Sequence, residues 1–181
     1  MNGPFPARAT TLVTVRRMTA DDIDQATAVL REHDPDQDSG EWVARLGRDV
    51  AAAVRHPVVA VVRGEVVGYA RTMPFHPEGD SPADAAPGGH YLLGLVVAPA
   101  HRRRGVGRLL TDERLRWLTE RHPGTVYYYT HRNNAASRRL HEQLGFRRLT
   151  DTFWFPALPR DHSEVLYALR LEDPPHGPRE R

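Results

Sequence analysis

Cysteine is missing from all 181 residues, which removes disulfides, thiolate metal ligands and cysteine nucleophiles together. Lysine is missing as well: the 25 basic side chains are all arginine. A Walker-type phosphate loop, which ends in Gly-Lys-Ser/Thr, is therefore excluded. No stretch reaches the roughly 18 consecutive apolar residues of a membrane span. The opening Met1-Asn2-Gly3-Pro4-Phe5-Pro6 has no basic stretch followed by an apolar core. It does not read as a secretory leader, and a cytoplasmic location is the expectation. Net charge is small too. Twenty-three acids bring the chain to a formal +2, which argues against a broadly basic nucleic-acid or membrane surface.

Apolar residues supply 40% and charged residues 27%, the balance of one globular domain. That domain is placed at 11–171, between a loose arm at 1–10 and a polar tail at 172–181. Hydrophobic spacing predicts a strand near 12–17 and a helix through Ile23, Ala26, Thr27 and Leu30. A second helix through Trp42, Val43, Leu46, Val50 and Val54 ends before Pro57. Val58–Val62 and Val66–Met73 flank Arg63-Gly64-Glu65 as a hairpin. Residues 74–89, rich in Pro, Gly and Asp, form a loop long enough to expect function or mobility from it.

Tyr91–Ala98 is almost wholly apolar, the pattern of a strand buried on both faces. A helix is expected at 104–121, with Val106, Leu109, Leu110, Trp117 and Leu118 inward and Glu113 interrupting the stripe. There follow a strand at 125–130, a short helix at 134–144 closed by Gly145, and strands at 146–154 and 165–171. In the short helix Ala136, Leu140 and Leu144 are the inward residues, with Asn134, Ser137 and His141 as a polar stripe opposite. The order gives a mixed α/β domain.

Chemistry concentrates where the apolar strand runs into Arg102-Arg103-Arg104-Gly105-Val106-Gly107-Arg108 and then a helix. The first amides of a helix have no internal partners and carry partial positive charge, so they favour an anion. Glycines at 105 and 107 allow close backbone approach, and the guanidinium groups add bidentate donors for phosphate oxygens. A dinucleotide fingerprint would need glycine at 110, where Leu110 stands.

The stretch Leu95-Val96-Val97-Ala98-Pro99-Ala100-His101-Arg102-Arg103-Arg104-Gly105-Val106-Gly107 resembles the acyl-CoA loop of the GNAT N-acetyltransferase superfamily, Arg/Gln-x-x-Gly-x-Gly/Ala. Asn134-Ala135-Ala136-Ser137-Arg138-Arg139-Leu140-His141-Glu142-Gln143-Leu144-Gly145-Phe146 is similar to that family's second block. The resemblance implies a central, mostly antiparallel sheet of about seven strands flanked by about four helices, with a V-shaped split between the strands at 91–98 and 125–130. It implies acetyl-CoA as co-substrate, held by Leu95, Val96, Val97, Arg102, Arg103, Arg104, Gly105, Val106, Gly107, Arg108, Asn134, Ser137 and His141, with direct attack of a primary amine on the thioester.

Three groups are candidates for proton transfer. His141 stands where the family often has a tyrosine that protonates the leaving sulfur, His90 could serve as base, and Tyr129 lies on the strand beside the split. No metal-ligand spacing joins the histidines, so no metal is expected. Asp34, Asp36 and Asp38, with Glu78, Asp80 and Asp84, suggest a small cationic amine as acceptor. The partners expected are thus a small-molecule amine, neither nucleic acid nor membrane, in a monomer or homodimer. Acetylation of a protein amine and a non-catalytic acyl-CoA-binding module are the alternatives.

Overall fold

A computed structural model describes residues 12–156 and 158–172. The arm expected at 1–10 and nearly all of the tail expected at 172–181 lie outside the described residues. Strand β1 (Thr14–Arg17) leads through a turn to helices α1 (Ile23–His33) and α2 (Ser39–Ala51). Then come β2 (His56–Val62), β3 (Glu65–Phe75), β4 (Gly89–Val97), α3 (Val106–Arg121), β5 (Gly124–His131), α4 (Ala135–Gln143), β6 (Arg147–Thr150) and β7 (Glu164–Leu171). The strands form one seven-stranded sheet in the order β1-β2-β3-β4-β5-β7-β6. Every neighbouring pair is antiparallel except β4 and β5.

Side-chain alternation sorts the core onto the two sheet faces. Tyr69 and Val96 pack with Leu30, Trp42 and Leu46 beneath α1 and α2. Farther along the same face, Tyr91 and Leu93 pack with Phe155 and Leu166. The opposite face buries Val106 and Leu110 of α3 on Val58, Ala60 and Ala70, and Trp117 and Leu118 on Val126 and Tyr128.

Four expectations from the sequence are corrected. Helix α2 stops at Ala51, so Val54 is exposed. Asp38 caps its start by accepting from the Glu41 amide at 3.1 Å. On α3 the inward positions are Val106, Leu110, Thr111, Arg114, Trp117 and Leu118, whereas Leu109 is 42% exposed. On α4 the buried residue is His141, and Ala136 is exposed. The strand expected at 146–154 ends at Thr150; Trp154 instead bridges Ala85 and ties the 76–88 loop down through Ala86 N to Trp154 O at 2.8 Å.

Candidate active site

Parallel strands β4 and β5 are joined by only two register pairs, His90–Val126 and Tyr91–Tyr127. Past Tyr91 they part, while β4 stays paired with β3 to Val97 and β5 with β7 to His131. The split thus opens toward the C-terminal ends of both strands, where the chain leaves β4 for α3.

At that mouth Gly105 is the N-cap of α3 in a left-handed conformation, φ +83°, and a Cβ there would meet nothing within 4 Å. Among the described residues no side chain caps the helix. Its first internal bond is Leu109 N to Gly105 O at 3.0 Å, which leaves the amides of Val106, Gly107 and Arg108 free to meet a ligand. Arg102 is partly spent: its Nε donates to Val97 O at 2.9 Å and folds the turn back on the strand. Arg103 (φ 57°) and Arg104 are exposed, and Arg108 lies 3.4 Å from Asp112. Open amides, an unhindered glycine and exposed guanidinium groups fit a pyrophosphate.

A bulge shapes the floor of the split. Tyr69 faces Val96 and Arg71 faces Leu93, so β4 carries one extra residue across Gly94-Leu95. Gly94 has φ +62° and is exposed in the middle of a central strand. The expectation of a strand buried on both faces fails here, because a glycine without a side chain leaves a hole. Tyr69 Cε1 and Arg71 Cγ would lie 3.5 and 4.0 Å from a Cβ at Gly94.

Arg71 belongs to a network centred on Asp49, which is wholly buried. Asp49 accepts from Arg55 at 2.7 Å, from Arg71 Nη1 at 3.0 and 3.1 Å, and from the Tyr69 hydroxyl at 2.9 Å. Burial together with the Asp49 charge pushes the Tyr69 hydroxyl far up, so it stays a proton donor. Beneath the bulge, on the opposite face, the fully buried Arg114 donates to the carbonyls of Arg71 (3.1 Å) and Leu93 (3.4 Å), pinning β3 to β4. Neither network was foreseen; an arginine on a helix's apolar stripe and an aspartate at i+4 from Arg45 were the available signals.

The three proton-transfer candidates are not brought together. His141 is 3% exposed, stacked on Tyr128 with ring centroids 3.7 Å apart, and its Nδ1 lies 2.9 Å from Ser137 O. A carbonyl only accepts, so Nδ1 carries the proton and Nε2 the lone pair. Burial drops the imidazole pKa to about 4, leaving it neutral near pH 7. Ser137's amide is itself held by Asn134, whose side chain caps α4 at 3.1 Å. His90 sits at the closed end of the split, against His122 and Trp117 with centroids 4.4 and 6.3 Å away, and burial lowers it to about 4. Tyr129 does reach the open part of β5. Burial raises its hydroxyl to about 12, and the charges of Arg71, Glu164 and Arg45 all act on it. Glu164, across the ladder from His131, has a buried Oε2 with no partner among the described residues, and burial raises its pKa. Among the described residues no group of three or more His, Cys, Asp or Glu is placed to hold a metal, and no helix is long and apolar enough to cross a membrane.

The fold has counterparts among solved structures. The ribosomal-protein-S18-alanine N-acetyltransferase from Escherichia coli superposes with a TM-score of 0.66 at 18% identity, covering 94% of this chain and 99% of that one. Aminoglycoside N-acetyltransferase AAC(6')-Iy, solved in complex with CoA, gives 0.70 at 19% identity over 84% and 99%. In sequence, mycothiol acetyltransferase from Rhodococcus erythropolis is 37% identical over 83 residues, 46% of this chain and 26% of that protein. The Tsukamurella paurometabola protein of that name is 41% identical over 64 residues, 35% and 22% of the respective chains. The chain therefore spans about a quarter of the length of these curated relatives. The model of the acetyltransferase (GNAT) family matches residues 17–146, running from the end of β1 through the split, the α3 turn and α4. With the β4–β5 split, the bulged strand and the open helix start all inside that span, the chain belongs to the acetyltransferase (GNAT) family.

Proposed function

We propose that the protein transfers an acetyl group from acetyl-CoA to a primary amine, and that the observation carrying this is the β4–β5 split opening beside the uncapped start of α3. The amides of Val106, Gly107 and Arg108, with Arg103 and Arg104, hold the pyrophosphate. The unpaired edge of β4 from Leu95 to Val97 offers backbone groups to the pantetheine arm, and Asn134, Ser137 and His141 border it from α4. The solved relatives named as acetyltransferases, one of them with CoA bound, support this reading.

In the reaction the amine nitrogen attacks the thioester carbon, a C–N bond forms, the C–S bond breaks, and the thiolate takes up a proton. A thiolate of pKa about 8.5 is a tolerable leaving group. A neutral His141 with its proton tied to Ser137 does not act as an imidazolium donor near pH 7. We assign it the packing of the groove wall. Glu164, with a partnerless carboxylate oxygen near Tyr129, is better placed than His90 to take the amine proton, directly or through water. Two of the six acids in the acidic loops are already engaged: Asp38 as a helix cap and Asp84 at 3.9 Å from Arg160.

Calorimetry with acetyl-CoA and thiol release across an amine panel test the proposal. Binding is expected for the wild type and its loss for Gly105→Asp, which sets a carboxylate where the pyrophosphate would lie. Absence of binding by the wild type would overturn it.

A further inference from the structure

On the face of the sheet that carries α1 and α2, the two apolar clusters are separated by a polar gap. Its floor is Gly94, flanked by the Tyr69 ring and, just beyond it, the stem of Arg71. The side-chain hydrogen bonds of Arg71 run from Nη1 to Asp49, and among the described residues Nη2 and Nε have no partner. One helical turn before Asp49, Arg45 lies with its guanidinium 3.7 Å from the Trp42 ring centroid and its Nε buried without a partner. Asp49 is the one carboxylate in this network, and it is shared by Arg55 and Arg71. Counting Arg45, three guanidinium groups face a single acid, and Arg45 and Arg71 repel one another. Glu164 stands apart from them, on β7 beyond Tyr129.

A cationic molecule entering this gap would meet uncompensated like charge. An acceptor with separate positive and negative ends would not. We propose that the acceptor is a short amine that also carries a carboxylate, bound by Arg71 and Arg45 so that its amino group lies between Gly94 and the Glu164 side of the split. Two planar guanidinium groups with free N–H donors match a carboxylate's two oxygens. Placement of Arg71 against the bulge keeps the carboxylate only a few bonds from the reacting nitrogen. This rests on the acetyl-transfer reading above and adds the acceptor's chemistry to it.

The test uses the full chain and matched acceptors: amino acids, their carboxamides, and the same amines lacking the carboxyl group. Acetyl-CoA binding is measured first by calorimetry, since it reports on the donor site alone. With binding present, amino acids are expected to show a kcat/KM about 10- to 100-fold above their amides and decarboxylated forms, the range of a charge-assisted hydrogen bond. Arg45→Gln is expected to lower kcat/KM for the acid about tenfold more than for its amide. In calorimetry with CoA present, the acid is expected to bind more tightly than the amide, a readout independent of turnover. Acetyl-CoA binding with equal or better use of neutral or cationic amines would overturn the proposal while leaving acetyl transfer intact. Failure to bind acetyl-CoA would overturn both.

Discussion

The two sides of the split are built on different principles. The proposed donor side is one contiguous stretch, Arg102 to Arg108, in which backbone amides, two glycines and arginines occur side by side in the chain. The proposed acceptor side gathers Arg45 and Asp49 from α2, Tyr69 and Arg71 from β3, Gly94 from β4, Tyr129 from β5 and Glu164 from β7. The first is exposed except at Val106, which packs into the core, and at half-buried Gly107. The second is the polar seam of the core itself, where a wholly buried carboxylate holds two side chains of β3 and Arg55, just before β2, to a helix. Ligand binding and folding are thus separable on the donor side and entangled on the acceptor side.

The sharpest way to break that contrast is a pair of variants. Asp49→Ala leaves Arg55, Arg71 and Tyr69 without their shared acceptor and is expected to cost about 3 kcal/mol in denaturant unfolding. Gly105→Asp, at φ +83° with open space around it, is expected to cost only about 1 kcal/mol while abolishing calorimetric CoA binding. If Gly105→Asp unfolded the protein and Asp49→Ala did not, the division would be reversed.

Arg114→Lys sharpens it from below the sheet. A single ammonium cannot reproduce bonds to Thr111 Oγ1 and to the carbonyls of Leu110, Arg71 and Leu93, so a loss of about 1–2 kcal/mol is expected. Acid should act through the histidines. His56, His90 and His141 each have a folded pKa of about 4 against 6.5, so the unfolded chain binds protons that the native chain refuses. Stability is then full above pH 6.5 and falls as pH drops toward 4. His141→Gln should flatten the slope of Tm against pH over that interval, and an unchanged slope would remove His141 from this account. The smallest effect belongs to Leu109→Ser. Its side chain is 42% exposed, and a thermal melt should register less than about 0.5 kcal/mol.

Local chemistry determined what could be read without coordinates. Element order follows from periodicity, and the α3 turn follows from glycines and arginines that are neighbours in the chain. Misplaced residues share one cause. Leu109, Ala136 and His141 were assigned by residue type, yet which face of a helix is buried depends on what lies opposite, and Tyr128 claimed His141 by stacking. The apolar run at 91–98 gave no sign that β4 would bulge at Gly94, because a bulge is a relation between two strands.

By itself, then, the chain specified a mixed α/β domain and the glycine- and arginine-rich turn proposed to hold a pyrophosphate, both of which depend on residues a few positions apart. Only tertiary structure decided the acceptor side. Asp49, Arg71, Gly94 and Glu164 are scattered along more than half the chain, and only strand register and helix packing bring them onto one face of the sheet.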